Sequence, residues 1–193
     1  MNTLIKILLL LILTSNVLMA NEKNLDPIFF LENIIKECKP LIKEKKNEIL
    51  EKKISEFTDF NEISLWVVGK SEWENTPKIK KDLFIVELKK IILKTYNRTI
   101  INYIDSEIEF YLQNDKEINF LKRIQVSSKI KKNDKIINVN YRLIKIENSW
   151  FIFDIIIEGV SILRSLKAQF SEMIKTIGLE NTTEKMKSLN KKQ

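Results

Sequence analysis

The chain has 193 residues, 44% hydrophobic and 31% charged, with a formal net charge of +7, a length that suits one domain with a sizeable core and is cramped for two. It has no histidine and one cysteine, Cys38, which removes the commonest general base, the Ser-His and Cys-His nucleophile pairs, His-ligated metal sites and any intrachain disulfide. The lysines are interleaved with Glu and Asp along the whole chain, so the excess charge reads as a solvated, Lys-biased surface rather than a nucleic-acid footprint.

Residues 1–20 carry Lys6 as a basic start, an apolar run from Ile7 to Leu13, polar Thr14 to Asn16 and a small residue at Ala20. This pattern predicts a secretory signal peptide, too short in its apolar part for a transmembrane anchor. Leu18 is larger than the residue favoured before a cleavage site. The remaining residues, 21–193, read as a single domain outside the cytoplasm.

Asp26-Pro27 predicts a helix start, with Ile28, Leu31, Ile34 and Ile35 on its apolar face and Pro40 as its end or kink. Cys38 on this helix reads as a small buried apolar residue. Leu41 to Phe57 predicts an amphipathic helix covering a surface. Asp59 caps a short helix that presents Ile63, Trp66 and Val67 and stops at Gly69. From Thr76-Pro77 to about Tyr103 a long helix carries Phe84, Leu88, Ile92 and Tyr96 on a broad apolar face.

The period then falls to two. Ile108, Phe110 and Leu112 alternate with polar residues, as do Ile124, Val126 and Ile130, and Asn133-Asp134 turns into a strand with Ile137, Val139, Tyr141 and Leu143 on one side. After Glu147 to Ser149 comes a strand from Trp150. Strict alternation gives Phe151, Phe153, Ile155 and Ile157 on one of its faces and Trp150, Ile152, Asp154, Ile156 and Glu158 on the other. Past Gly159 the period returns to that of a helix through Ile162, Leu163, Leu166 and Phe170, with Ser161 as N-cap and Gly178 as stop. Short connections make the sheet an antiparallel meander. The fold class is therefore α+β: N-terminal helices on a curved antiparallel sheet of about four strands, closed by C-terminal helices, the last from Thr182 to about Leu189.

Trp150, Asp154, the run Glu158-Gly159-Val160-Ser161, Arg164 and Gln169-Phe170 stand in one register that resembles the closing signature of the MlaC, or toluene-tolerance, family. Asp59-Phe60 with Val68-Gly69 and Trp73, the helix Phe84, Leu88, Ile92, Tyr96, and Val139-Asn140-Tyr141-Arg142-Leu143 resemble further blocks of that family. Phe151 departs from it, since the family often has a basic residue there. The resemblance implies a periplasmic carrier of diacyl phospholipids, not an enzyme, with no cofactor. It implies an inner-membrane ABC transporter complex and an outer-membrane lipoprotein complex as partners, in a system that maintains outer-membrane lipid asymmetry.

A helical layer on a sheet can be packed solid or left hollow, and the helices here supply more apolar face than one side of such a sheet covers. That surplus suits a lipid cavity, a large ordinary core or a partner surface. For a cavity, the candidate lining is Val126, Val139, Tyr141, Phe153, Ile155 and Ile157 from the sheet, with Trp66, Phe84, Leu88, Tyr96, Val160, Leu163 and Phe170 from the helices. Each of these taken singly suits ordinary core better than ligand contact, and the set carries the expectation. No convergent charges mark a head-group site. The alternatives are a binding module for another apolar small molecule, or an isomerase-like enzyme on a cone fold with Asp154 as general base. Against the latter, Asp154 can instead tie its strand to Arg164 or to a backbone N–H.

Overall fold

The computed structural model describes residues 26–112 and 122–192. The expected signal peptide lies outside the described residues. Among the described residues five helices precede the sheet: α1 (Pro27–Lys43), α2 (Asn47–Phe57), α3 (Phe60–Val68), α4 (Lys70–Asn75) and α5 (Lys78–Tyr103). The strands are β1 (Glu107–Leu112), β2 (Arg123–Lys132), β3 (Lys135–Ile146), β4 (Ser149–Ile157) and β5 (Val160–Ser161), and α6 (Ile162–Lys192) closes the chain.

The helix starts follow their capping residues. Asp26 accepts hydrogen bonds from the N–H groups of Ile28 (2.8 Å) and Phe29 (3.3 Å), with Pro27 in the first helical position where no N–H is needed. Asp59 accepts from Glu62 N–H at 3.0 Å, and Ser161 Oγ from Arg164 N–H at 3.0 Å. Gly178, at φ 79°, breaks α6 in two. Pro40 does not end α1, which runs on to Lys43 and thereby buries Ile42 beside Cys38 and Leu50 of α2. The predicted second helix is correspondingly shorter, because Lys45 at φ 54° turns the chain before Asn47.

The strands pair in sequence order, β1-β2-β3-β4-β5, each antiparallel to its neighbour. The short fifth strand exists because Glu158 (φ 47°) and Gly159 (φ 82°) form a two-residue turn that folds Val160-Ser161 back on Ile156-Ile157.

One irregularity decides which side chains share a face. Leu143 pairs with Ile152 but Arg142 pairs with Asp154, so Phe153 is an extra residue, a β-bulge. Strict alternation fails across it. Trp150 and Ile152 lie on the same face as Ile155 and Ile157, beside Leu143, Tyr141 and Val139 of β3, while Phe151 joins Ile144 on the opposite face. The single face expected to hold Phe151, Phe153, Ile155 and Ile157 is thereby split by the bulge.

Three apolar clusters form. The largest joins α3, α4, α5 and α6 around Phe60, Val67, Trp73, Phe84, Leu88, Phe170 and Met186, and takes in Ile144 and Phe151 of the sheet. In the second, Leu31, Ile28 and Ile34 of α1 pack on Val126, Leu143 and Trp150. Cys38, Ile42 and Leu50 form the third between α1 and α2.

Candidate functional site: an apolar cavity between the three clusters

The three clusters stay separate because the space where they would meet is hollow. A cavity of about 510 Å³ takes Leu31 from the second cluster, Cys38, Ile42 and Leu50 from the third, and Phe60, Ile63, Leu163 and Leu166 from the first. Its volume falls within the range of about 300–1,000 Å³ that holds small-molecule ligands. The sheet wall is the part of the face that α1 leaves bare: Ile130, Ile137, Val139, Tyr141, Ile155 and Ile157. Opposite stand Ile92, Leu93 and Tyr96 of α5.

Charged and amide groups in the lining are few and fall into two places. Asn47 and Glu51 of α2 and Lys90 and Lys94 of α5 are partly or fully exposed and mark the opening. Asp154 is inside, and it is occupied. Its Oδ1 accepts the backbone N–H of Leu163 at 3.0 Å, and its Oδ2 accepts Ser161 Oγ–H at 2.8 Å and Arg142 at 3.2 Å. The carboxylate thereby fixes the first turn of α6, which presents Ile162, Leu163 and Leu166 to the cavity. Its partners are Leu163, Ser161 and Arg142, and the last of these came from the strand beside it, not from the helix that holds Arg164.

Burial pushes the phenol of Tyr141 above its ordinary pKa, a hydrogen bond with Ser128 notwithstanding. Tyr96 is raised too, first by burial and then by the negative charge of Asp154. Both tyrosines therefore face the cavity as neutral, largely apolar rings.

Of the residues singled out in the sequence, Tyr96, Val139, Tyr141, Phe153, Ile155, Ile157 and Leu163 line the cavity. Phe84, Leu88 and Phe170 are buried in the helical cluster and Val126 under α1, away from the hollow. Trp66 and Val160 are at the surface, 43% and 62% exposed. Sequence reasoning passed over the α1 and α2 contribution, Leu31, Ile34, Cys38, Leu50 and Ile54. The signal for it was present: two amphipathic helices precede a sheet with two apolar faces.

Such a lining can shelter aliphatic chains and offers little to bind a polar molecule. Fold and cavity together define an α+β domain with a hollow apolar interior. The chain belongs to the MlaC family, whose model, described as MlaC protein, matches residues 31–188. Among solved structures it is similar to a phospholipid-binding protein from Ralstonia solanacearum, determined in complex with a phospholipid. The two share 18% identity over 84% of this chain and 93% of that one, with a TM-score of 0.72, a likeness of fold. No curated protein matches the sequence.

Proposed function

We propose that this protein carries diacyl phospholipids, holding the acyl tails in the cavity between α1, α2, α5 and the sheet. The observation that carries this reading is the apolar hollow itself, with the buried carboxylate of Asp154 already bonded on both oxygens. Family membership and the phospholipid bound by the Ralstonia solanacearum protein support it.

The energetics fit a carrier. An acyl chain of about 16 carbons costs on the order of 13 kcal/mol to expose to water, at about 0.8 kcal/mol per CH₂. A lipid therefore does not cross an aqueous gap unaided. Its tails are already dry in a bilayer, so the cavity has only to match that environment. In this reading residues 1–20 direct export to the periplasm and are removed, leaving one phospholipid-binding domain. The carrier moves lipid between the inner and outer membranes, exchanging it with an ABC-type transporter complex at the first and a lipoprotein complex at the second. No chemistry is performed on the lipid, and the engagement of Asp154 by three donors speaks against its use as a general base.

Lipid extraction from protein purified out of membrane-containing cells tests this directly. Stoichiometric diacyl phospholipid is the expected result. A different apolar compound would make the chain a binding module of another kind.

A further inference from the structure

The outer face of α5 carries an apolar stripe that belongs to no apolar cluster among the described residues. Ile79, Leu83 and Val86 follow one another at helical spacing and are 70%, 57% and 42% exposed. One turn further along the same line stands Lys90, with Leu93 and Lys94 beside it, and all three line the cavity. The stripe thus leads along the helix to the opening.

Its surroundings are cationic. Between residues 78 and 94, α5 carries lysines 78, 80, 81, 89, 90 and 94 and two carboxylates, Asp82 and Glu87. Lys78 and Lys89 flank the stripe on one side, Lys80 and Lys94 on the other. Some of this charge is shared: Lys78 pairs with Asp82 at 2.8 Å, Lys80 with Glu180 at 2.6 Å, and Lys90 with Glu87 at 2.9 Å. Lys81 and Lys89 lie over the rings of Trp73 and Phe60, and Lys94 donates to the Asn190 carbonyl, contacts that leave their positive charge uncancelled.

Exposed aliphatic side chains rimmed by lysine are what an interfacial helix presents to an anionic bilayer. No helix among the described residues is long and apolar enough to cross a membrane, so contact would be with the surface. We infer that the Ile79-Leu83-Val86 face of α5, with its lysine rim, is a docking surface for an anionic lipid bilayer. This rests on the carrier reading and adds how the carrier is held at the membrane while it exchanges cargo with those complexes. With the stripe laid on the bilayer, the opening beside Lys90 and Lys94 is held at the membrane surface, and a lipid handed over there reaches the cavity without its tails meeting water.

Vesicle sedimentation tests it, with phosphatidylglycerol-rich vesicles against phosphatidylcholine vesicles. The protein cosediments with the anionic vesicles and not the neutral ones, and salt weakens the binding. Ile79→Ser, Leu83→Ser and Val86→Ser combined lower the partition about tenfold, and Lys78→Glu with Lys89→Glu lowers it independently. Wild-type protein left in the supernatant with anionic vesicles, or a triple variant that binds as the parent does, overturns the proposal. Lipid retained by the same variants is measured in parallel, so lost docking with an occupied cavity is distinguishable from an empty cavity.

Discussion

The carboxylate of Asp154 accepts the backbone N–H of Leu163 at 3.0 Å, joining the bulged strand β4 to the first turn of α6. The side chain of Asp154 is fully buried, and Ser161 and Arg142 complete its shell. Removing a buried charge that holds three donors leaves them unpaired, at a cost of about 3–5 kcal/mol. Asp154→Ala is therefore expected to lower urea-unfolding stability by that amount. If the variant instead unfolds at the wild-type midpoint, Asp154 is not the tie between strand and helix.

Phe84 and Ile92 lie eight residues apart on one stripe of α5 yet play different parts. Phe84 is fully buried, its ring edge-on to Trp73 with 6.0 Å between centroids, whereas Ile92 is half-buried against the cavity. Phe84→Ala opens a void in a packed cluster and should cost about 3–5 kcal/mol. Ile92→Ala enlarges an existing hollow and should cost about 1–2 kcal/mol. Paired urea titrations of the two variants check the contrast; equal costs would mean that the space beside Ile92 is closed.

Burial pushes the Cys38 thiol up from an ordinary value of 9.0 to about 11, with Glu37 adding to the shift and Lys53 opposing it. In the folded state the thiol is thus protonated over a pH range where the unfolded chain ionises. The resulting stability is fully present below pH 9 and is lost as the pH rises towards 11. Native Cys38 should react with iodoacetamide at least about tenfold more slowly than in denaturing urea. Because Cys38 lines the cavity, loading with lipid should slow the reaction further, and an unchanged rate on loading would place the lipid elsewhere.

How much of this was legible in the sequence follows from where periodicity suffices. The caps at Asp26, Asp59 and Ser161, the breaks at Gly69 and Gly178, and the change of period at Gly159 each have a local cause, and the elements follow them. The bulge at Phe153 does not. A single inserted residue leaves composition and spacing unchanged, yet it moves Phe151 to the helical side and brings Trp150 and Ile152 round to the side of Ile155. Nor can a stripe of apolar residues reveal which members meet a neighbour and which meet a void. Leu88 and Tyr96 are chemically suited to either, and only the course of α5 past the sheet separates them. Trp66, a candidate lining residue by its helical spacing, lies at the surface under Lys167, its indole N–H donating to Glu62 at 2.7 Å.

The central claim is that the hollow holds acyl chains, and native mass spectrometry of protein purified from membranes tests it most directly. Ile155 is a half-buried wall residue, so Ile155→Trp fills part of the cavity with little disturbance to the clusters around it. Wild-type protein is expected to carry the additional mass of a diacyl phospholipid, and Ile155→Trp, folded by circular dichroism, to have lost most of it. Wild-type protein that flies at the mass of the bare polypeptide, or a filled variant that retains lipid as the parent does, would contradict the account.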